Sequence, residues 1–201
     1  EKFGGDGVIR DMSCGWGGRL IGFLASTRKH YIGTEPSSKT YDGLLKIKED
    51  FGYLGKKVEI HKLGSEVFHP DKESLDLCFT SPPYFNREQY SADESQSFKK
   101  FPEYEDWRDN FLRPTLKTAS EYLKHDRYLL WNIADIGDGD GFMPLEQDSK
   151  DILAEYGLAY VETLKMLMTT MRGVKAEQVK NCCKIEGELQ KYEPIFVFYK
   201  E

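Results

Sequence analysis

The chain reads as an α/β domain on a mostly parallel sheet with helices on both faces, and three observations predict it. Short apolar runs alternate with segments of helical period along the 201 residues, the pattern of strand–helix–strand units. The first run, Val8-Ile9-Arg10, enters the glycine turn Asp11-Met12-Ser13-Cys14-Gly15-Trp16-Gly17-Gly18, which opens a helix. The fourth run, Leu75-Asp76-Leu77-Cys78-Phe79, ends in Thr80-Ser81-Pro82-Pro83-Tyr84-Phe85. Ligands of such sheets bind beyond the carboxyl ends of the strands, where both turns fall.

In chain order, strand 7–11 carries Val8 and Ile9, and helix 18–29 follows with Leu20, Ile21, Phe23 and Leu24 apolar. Strand 31–35 is Tyr31-Ile32-Gly33-Thr34, closing on Glu35. Helix 37–51, strand 58–62, strand 75–80, helix 104–124, strand 127–133 and helix 148–156 come next. Strands 159–168 and 194–199 close the domain as a hairpin with a long loop, for seven strands in all. Three stretches read as loops: 86–103, 135–141 and 169–191. The first, offering Arg87, Tyr90, Ser91 and Ser95, and the third are candidate substrate-facing segments, mobility being the alternative. The second, Asp135-Ile136-Gly137-Asp138-Gly139-Asp140-Gly141, is read as a flexible turn, because it lacks the terminal glutamate of a calcium loop.

The Pro-Pro turn carries a mechanism. Each proline fixes its own φ and biases the preceding residue towards extended backbone, so the carbonyls of Ser81 and Pro82 can be held pointing into a pocket. With the Ser81 hydroxyl they would accept the two hydrogens of an exocyclic amine. Tyr84 would stack on the ring that bears it. The alternative is an ordinary turn with Tyr84 in the core. At the first strand the glycines allow a ligand close to the backbone, and the helix N-terminus offers free amides to a carboxylate. Glu35 follows at a spacing that suits a ribose-binding acid.

At these residues the chain resembles the amino-group DNA methyltransferases that use S-adenosylmethionine. Their cofactor motif D-x-x-x-G-x-G is matched by Asp11, Gly15 and Gly17, and their catalytic motif [DNS]-P-P-[YFW] by Ser81, Pro82, Pro83 and Tyr84. The stretch Tyr192-Glu193-Pro194-Ile195-Phe196-Val197-Phe198 is similar to the start of their late antiparallel strand. The resemblance implies a class I methyltransferase, Rossmann-like, with S-adenosylmethionine as cofactor, no metal, and a single catalytic domain over residues 1–201. It implies a cofactor site of Asp11, Ser13, Cys14, Gly15, Trp16, Gly17, Glu35, Pro36, Ser65 and Thr80. Asp11 would order the turn or bind the amino group, and Pro36 and Ser65 would border the adenine. The acid that this family often carries after the third strand is missing where Gly64-Ser65-Glu66 stands, leaving Ser65 or a shifted Glu66 for that role. Phe85 and Arg87 would contact substrate, with core packing the alternative for Phe85, and Asn132 and Asp135 would support the site.

Composition bounds this reading. Apolar content of 39% and charged content of 31% describe a globular protein, and no apolar run reaches the roughly 20 residues of a membrane span. The start, Glu1-Lys2-Phe3-Gly4-Gly5, is not a signal peptide, and the missing initiator methionine suggests a trimmed stretch of a longer chain. Four unpaired cysteines fit a reducing cytoplasm. The formal net charge of −6 argues against tight autonomous DNA binding, for which a basic face is expected. Local clusters at Arg28-Lys29-His30, Lys56-Lys57 and Lys99-Lys100, and Arg172, Lys175, Lys180 and Lys184, soften that conclusion. A partner subunit, a separate recognition domain or a short-lived complex would reconcile it. No Pro-Cys dipeptide is present, so nitrogen rather than ring carbon is the expected acceptor. Double-stranded DNA with a flipped cytosine or adenine is the expected substrate. RNA bases, a protein glutamine amide, or a non-catalytic cofactor-binding subunit are the competing readings.

Overall fold

The computed structural model describes residues 2–3, 5–87, 94–138, 141–168, 181–185 and 187–201. The elements are β1 (Val8–Asp11), α1 (Gly18–Ala25), β2 (His30–Thr34), α2 (Ser38–Asp50), β3 (Lys57–His61), β4 (Leu75–Thr80), α3 (Ser97–Lys100), α4 (Tyr104–Trp107), α5 (Arg113–Tyr122) and β5 (Leu123–Asn132). They continue with β6 (Ile136–Asp138), β7 (Gly141–Met143), α6 (Leu145–Glu155), β8 (Leu158–Leu167), β9 (Cys182–Ile185) and β10 (Glu188–Lys200). The main sheet runs β3-β2-β1-β4-β5-β10-β8, with β9 paired to β10. Strands β1 to β5 are parallel to one another, and β10 is antiparallel to β5, β8 and β9. Strand order reverses between β1 and β4, so the crevice for a ligand opens at the carboxyl ends of these two strands.

Side chains alternate across the sheet and build two cores. On one face Leu20, Phe23 and Leu24 of α1 and Leu44 of α2 pack on Ile9, Tyr31, Val58, Leu77, Leu130 and Val197. On the other, Trp107, Phe111, Leu116, Ile152 and Leu153 pack on Ile32, Cys78, Leu129, Trp131, Phe196 and Phe198. Neighbouring residues such as Leu129 and Leu130 therefore serve opposite cores, the period-two signature of a strand covered on both sides. The buried indoles are satisfied: Trp107 donates to Ser97 Oγ at 2.9 Å and Trp131 to Ser149 Oγ at 3.0 Å.

The structure moves several boundaries. The expected helix 104–124 is split by a π turn, Arg108–Leu112, and stops at Tyr122, because Leu123 already pairs with Leu75 in the sheet. Residues 124–127 then form an irregularity before Tyr128 pairs with Leu77, and Asp126 takes a φ of 58° there. The helical period of the preceding residues conceals that bulge. Helix α6 starts at Leu145 rather than 148, since Asp135 Oδ1 accepts from the Glu146 N–H at 2.8 Å while Glu146 Oε1 accepts from the Asp135 N–H at 3.3 Å. The stretch read as a flexible turn holds a small hairpin, Ile136 opposite Met143. The final strand reaches back to Glu188 because β9 pairs with its first residues. Tyr90, Ser91, Arg172, Lys175 and Lys180 lie outside the described residues. Among the described residues no helix is long and apolar enough to cross a membrane.

Candidate active site

The glycine turn depends on backbone that only glycine takes without strain. Gly15 has φ 52° and Gly17, which caps α1, has φ 85°. A Cβ on Gly17 would also meet Ile47 Cδ1 at 2.7 Å. Asp11, at the end of β1, is the hub beneath this turn. Its Oδ1 accepts from the Ser13 N–H at 3.2 Å and the Thr80 hydroxyl at 2.8 Å; its Oδ2 accepts from Arg19 Nε at 2.9 Å and the Tyr31 hydroxyl at 2.7 Å. Asp11 is fully buried and all four of these bonds go to the protein itself, so it orders the turn. Thr80 sits equally deep and ties β4 to that hub rather than facing a ligand. Below them the buried Arg10, lowered from its usual value by desolvation, donates to Thr34 Oγ1 at 3.1 Å and lies over the Phe68 ring. Burial pushes the Cys14 thiol well above its usual range, which keeps it protonated and unreactive.

Above the hub opens a cavity of about 210 Å³. Its walls include Ser13, Cys14, Gly15 and Trp16 of the glycine turn, Arg19 of α1, Glu35 and Pro36 after β2, Gly64, Ser65 and Glu66 after β3, and Ser81 and Pro83 after β4. Glu35 accepts from the Gly15 N–H at 3.0 Å through Oε2 and from the Ser37 N–H at 3.0 Å through Oε1. Trp16 is 82% exposed at the rim. Ser65 is committed to Thr115, Oγ to Oγ1 at 2.8 Å. Glu66 is different: its side chain is 6% exposed, Oε1 meets Lys100 Nζ at 2.9 Å, and Oε2 is buried with no hydrogen-bond partner. An unpaired buried acceptor costs free energy unless a ligand supplies the donor.

Ser95, Gln96, Ser97 and Phe98 form a strap along the cavity, which the sequence did not disclose as cofactor-facing. Ser95 Oγ donates to the Pro36 carbonyl at 3.3 Å and Lys100 pairs with Glu66, so the strap is tied to two walls. Arg19, Thr40 and Phe111 also face the cavity; an arginine immediately after the glycine turn was the available signal for the first.

The tetrapeptide Ser81 to Tyr84 divides this cavity from a second. Ser81 and Pro83 line the first, Pro82 is buried between them, and Tyr84 lines a second cavity of about 310 Å³ with Arg87, Asp135, Tyr192 and Glu193. Tyr84 is 9% exposed and packs at the edge of the core, and its hydroxyl faces two acceptors, Glu193 Oε1 at 3.2 Å and the Asn132 carbonyl at 3.5 Å. Phe85, expected at the substrate, is 3% exposed and packs edge-on against Tyr104 and Trp107, with φ 46°. Its place is in the core, where it anchors the turn that Tyr84 begins. Asn132 supports the site from behind, its Nδ2 donating to the Pro194 carbonyl at 2.9 Å.

A buried carboxylate with two oxygens turned to backbone, an orphaned acceptor, a guanidinium on the first turn of α1 and apolar walls together suit a nucleoside that bears an amino-acid chain. The sheet order, the glycine turn after β1 and the crevice at β1 and β4 define the class I methyltransferase fold. The chain matches a TehB-like S-adenosylmethionine-dependent methyltransferase from Corynebacterium glutamicum at 17% identity and TM-score 0.54, over 98% of this chain and 81% of that one. It matches an S-adenosylmethionine-dependent O-methyltransferase from Thermotoga maritima at 12% identity and TM-score 0.58, over 100% of this chain and 62% of the other. The [4+2]-cyclase SpnF matches at 11% identity and TM-score 0.57, over 81% of this chain, which spans 55% of the length of the cyclase. A methyltransferase and a cyclase on one fold mean that reaction and acceptor must be argued from the site. No protein-family model matches the chain, and no curated protein sequence matches it.

Proposed function

We propose that the chain binds S-adenosylmethionine and transfers its methyl group to an exocyclic amino nitrogen of a DNA base, N4 of cytosine or N6 of adenine, flipped from the duplex. The observation that carries this reading is the Ser81-Pro82-Pro83-Tyr84 wall, with Ser81 facing one cavity and Tyr84 the other.

The first cavity fits the cofactor. Glu35 would accept from the ribose hydroxyls, and the orphaned Oε2 of Glu66 would accept from the adenine amine, the role left open between Ser65 and Glu66. The first turn of α1, with Gly18 and Arg19 at the cavity, would meet the methionine carboxylate. When bound, the cofactor supplies a methyl group already activated by its sulfonium. The protein therefore has to place and polarise the acceptor. An amine conjugated with its ring has its lone pair drawn into the π-system. Ser81 Oγ and the Pro82 carbonyl, accepting its two hydrogens, would pull the nitrogen towards tetrahedral geometry and free that pair. Tyr84 would hold the ring, offsetting part of the few kcal/mol that flipping costs.

The test is to incubate the protein with labelled S-adenosylmethionine and mixed-sequence DNA, with RNA and protein in parallel, and to identify the labelled nucleoside after digestion. Label in N4-methylcytosine or N6-methyladenine is expected; DNA without label overturns the proposal. Tyr84→Ala is expected to lower transfer by roughly 10- to 100-fold, since stacking is worth about 1–3 kcal/mol, and Pro82→Ala, which frees the φ that aims the carbonyl, is also expected to lower it, with cofactor binding within about twofold in both.

Glu35 gives the site a pH dependence. Burial is the largest influence and raises its carboxyl above the usual 4.5, although the Ser37 and Gly15 N–H groups pull it part of the way back. Between 4.5 and the raised value the folded state binds the extra proton, so Glu35 makes stability fall as pH rises through that window. Its grip on ribose needs the carboxylate and strengthens over the same window. Calorimetric titration with S-adenosylhomocysteine should show affinity rising from acid to neutral pH, with Glu35→Gln flattening the rise.

A further inference from the structure

The Glu193-Pro194-Ile195 stretch entered the sequence comparison without a role, and the structure places it against the tetrapeptide. Glu193 sits on β10, whose neighbouring residues pair with β5 on one side, Ile195 opposite Asn132, and with β8 on the other, Glu193 itself opposite Met166. Its backbone is thus held by an interior strand. Its carboxylate accepts from the Tyr84 hydroxyl at 3.2 Å in the cavity that both residues line. The next residue, Pro194, offers its carbonyl to Asn132 Nδ2 at 2.9 Å, fixing the strand to the end of β5 at the same level. On the opposite side of Tyr84 in sequence, Phe85 locks the backbone into the aromatic core. The backbone of the turn and the tip of the tyrosine are anchored separately.

We propose that Glu193 is a positioning residue of the acceptor site, holding in place the Tyr84 side chain on whose ring the acceptor ring stacks. The assignment rests on the function proposed above. The phenol oxygen lies on the axis of the Cβ–Cγ bond, so a hydrogen bond to it fixes the direction in which the side chain leaves the backbone, and a stacking wall works only in one place. A carboxylate is the stronger choice of anchor, because a hydrogen bond to an ionised acceptor exceeds a neutral one. Glu193 touches no reacting atom in this account. It acts through Tyr84 and sets how well the acceptor is bound, leaving the cofactor cavity, lined by other residues, unaffected.

The experiment compares Glu193→Ala and Glu193→Gln in the wild-type and Tyr84→Phe backgrounds. Tyrosine labelled with carbon-13 at Cζ reports the hydroxyl's hydrogen bond by NMR, the Tyr84 signal being assigned by its loss in Tyr84→Phe. Glu193→Ala should shift that signal and raise KM for mixed-sequence DNA about tenfold, with affinity for S-adenosylhomocysteine and melting temperature unchanged. Glu193→Gln, which keeps an acceptor, should recover most of the loss. In the Tyr84→Phe background Glu193→Ala should add nothing. An unmoved Tyr84 signal overturns the proposal, as does an equal loss in both backgrounds, which would mark a merely structural residue. Absence of transfer by the wild-type protein would refute the proposed DNA activity, and the NMR comparison would still decide whether Glu193 holds Tyr84.

Discussion

Asp11→Ala is expected to destabilise the protein by about 3–5 kcal/mol, because it removes one partner of a buried, multiply bonded ion pair. The four donors that converge on Asp11 come from the glycine turn, α1, β2 and β4, so its removal strands groups on four elements. Arg19 would lose its Nε partner and remain tied to the Ser13 carbonyl. Asp11→Asn keeps the shape and some of the bonds and should fall between wild type and alanine. Urea unfolding at fixed pH checks this: the midpoint should drop in that order with the slope unchanged. A loss of stability below about 1 kcal/mol would mean that the hub is dispensable.

Glu66→Ala should weaken S-adenosylmethionine binding by roughly 10- to 150-fold, the range for a hydrogen bond to a charged group of about 1.5–3 kcal/mol. The free protein should lose little stability, because the Oε2 removed is already without a partner and its burial is a cost. The partly exposed Lys100 pair contributes little on its own. Calorimetry with S-adenosylmethionine and with its deaminated, inosine analogue gives the decisive comparison. The wild-type protein should prefer the amine-bearing ligand and Glu66→Ala should not. Retained preference in the variant would return the adenine contact to Ser65.

Most of the sheet and one wall of the site could be read from the sequence because they rest on local rules. Glycines with positive φ, prolines with fixed φ and alternating apolar residues leave their mark within a few positions, which is why Gly15, Glu35, Ser81 and Pro83 were found and do meet at one cavity. What escaped depends on contacts distant in sequence. The bulge at Asp126 exists because Leu123 pairs with Leu75, 48 positions before it, and nothing in a run of helical period announces that partner. Ser65 and Glu66 are neighbours with equal claims as an adenine contact, and only Thr115, brought up by α5, occupies one of them. Phe85 looked available to a ligand until Trp107 and Tyr104 closed over it. The strap from Ser95 to Phe98 carries no motif, and its role comes from where Pro36 and Glu66 hold it.

Strand β10 lies between β5 and β8 although it follows both in the chain. During synthesis the two flanking strands must therefore wait, each with an open edge, until the last one arrives to pair with both. Until then the inner faces that will hold Phe196, Val197 and Phe198 lack their central stripe, and the nascent chain presents paired vacancies to any passing strand. The late strand also brings Glu193 to Tyr84, so the acceptor side of the site is assembled in the same event that closes the sheet. A half-made molecule can hold its glycine turn in place, but it cannot yet present an aligned tyrosine.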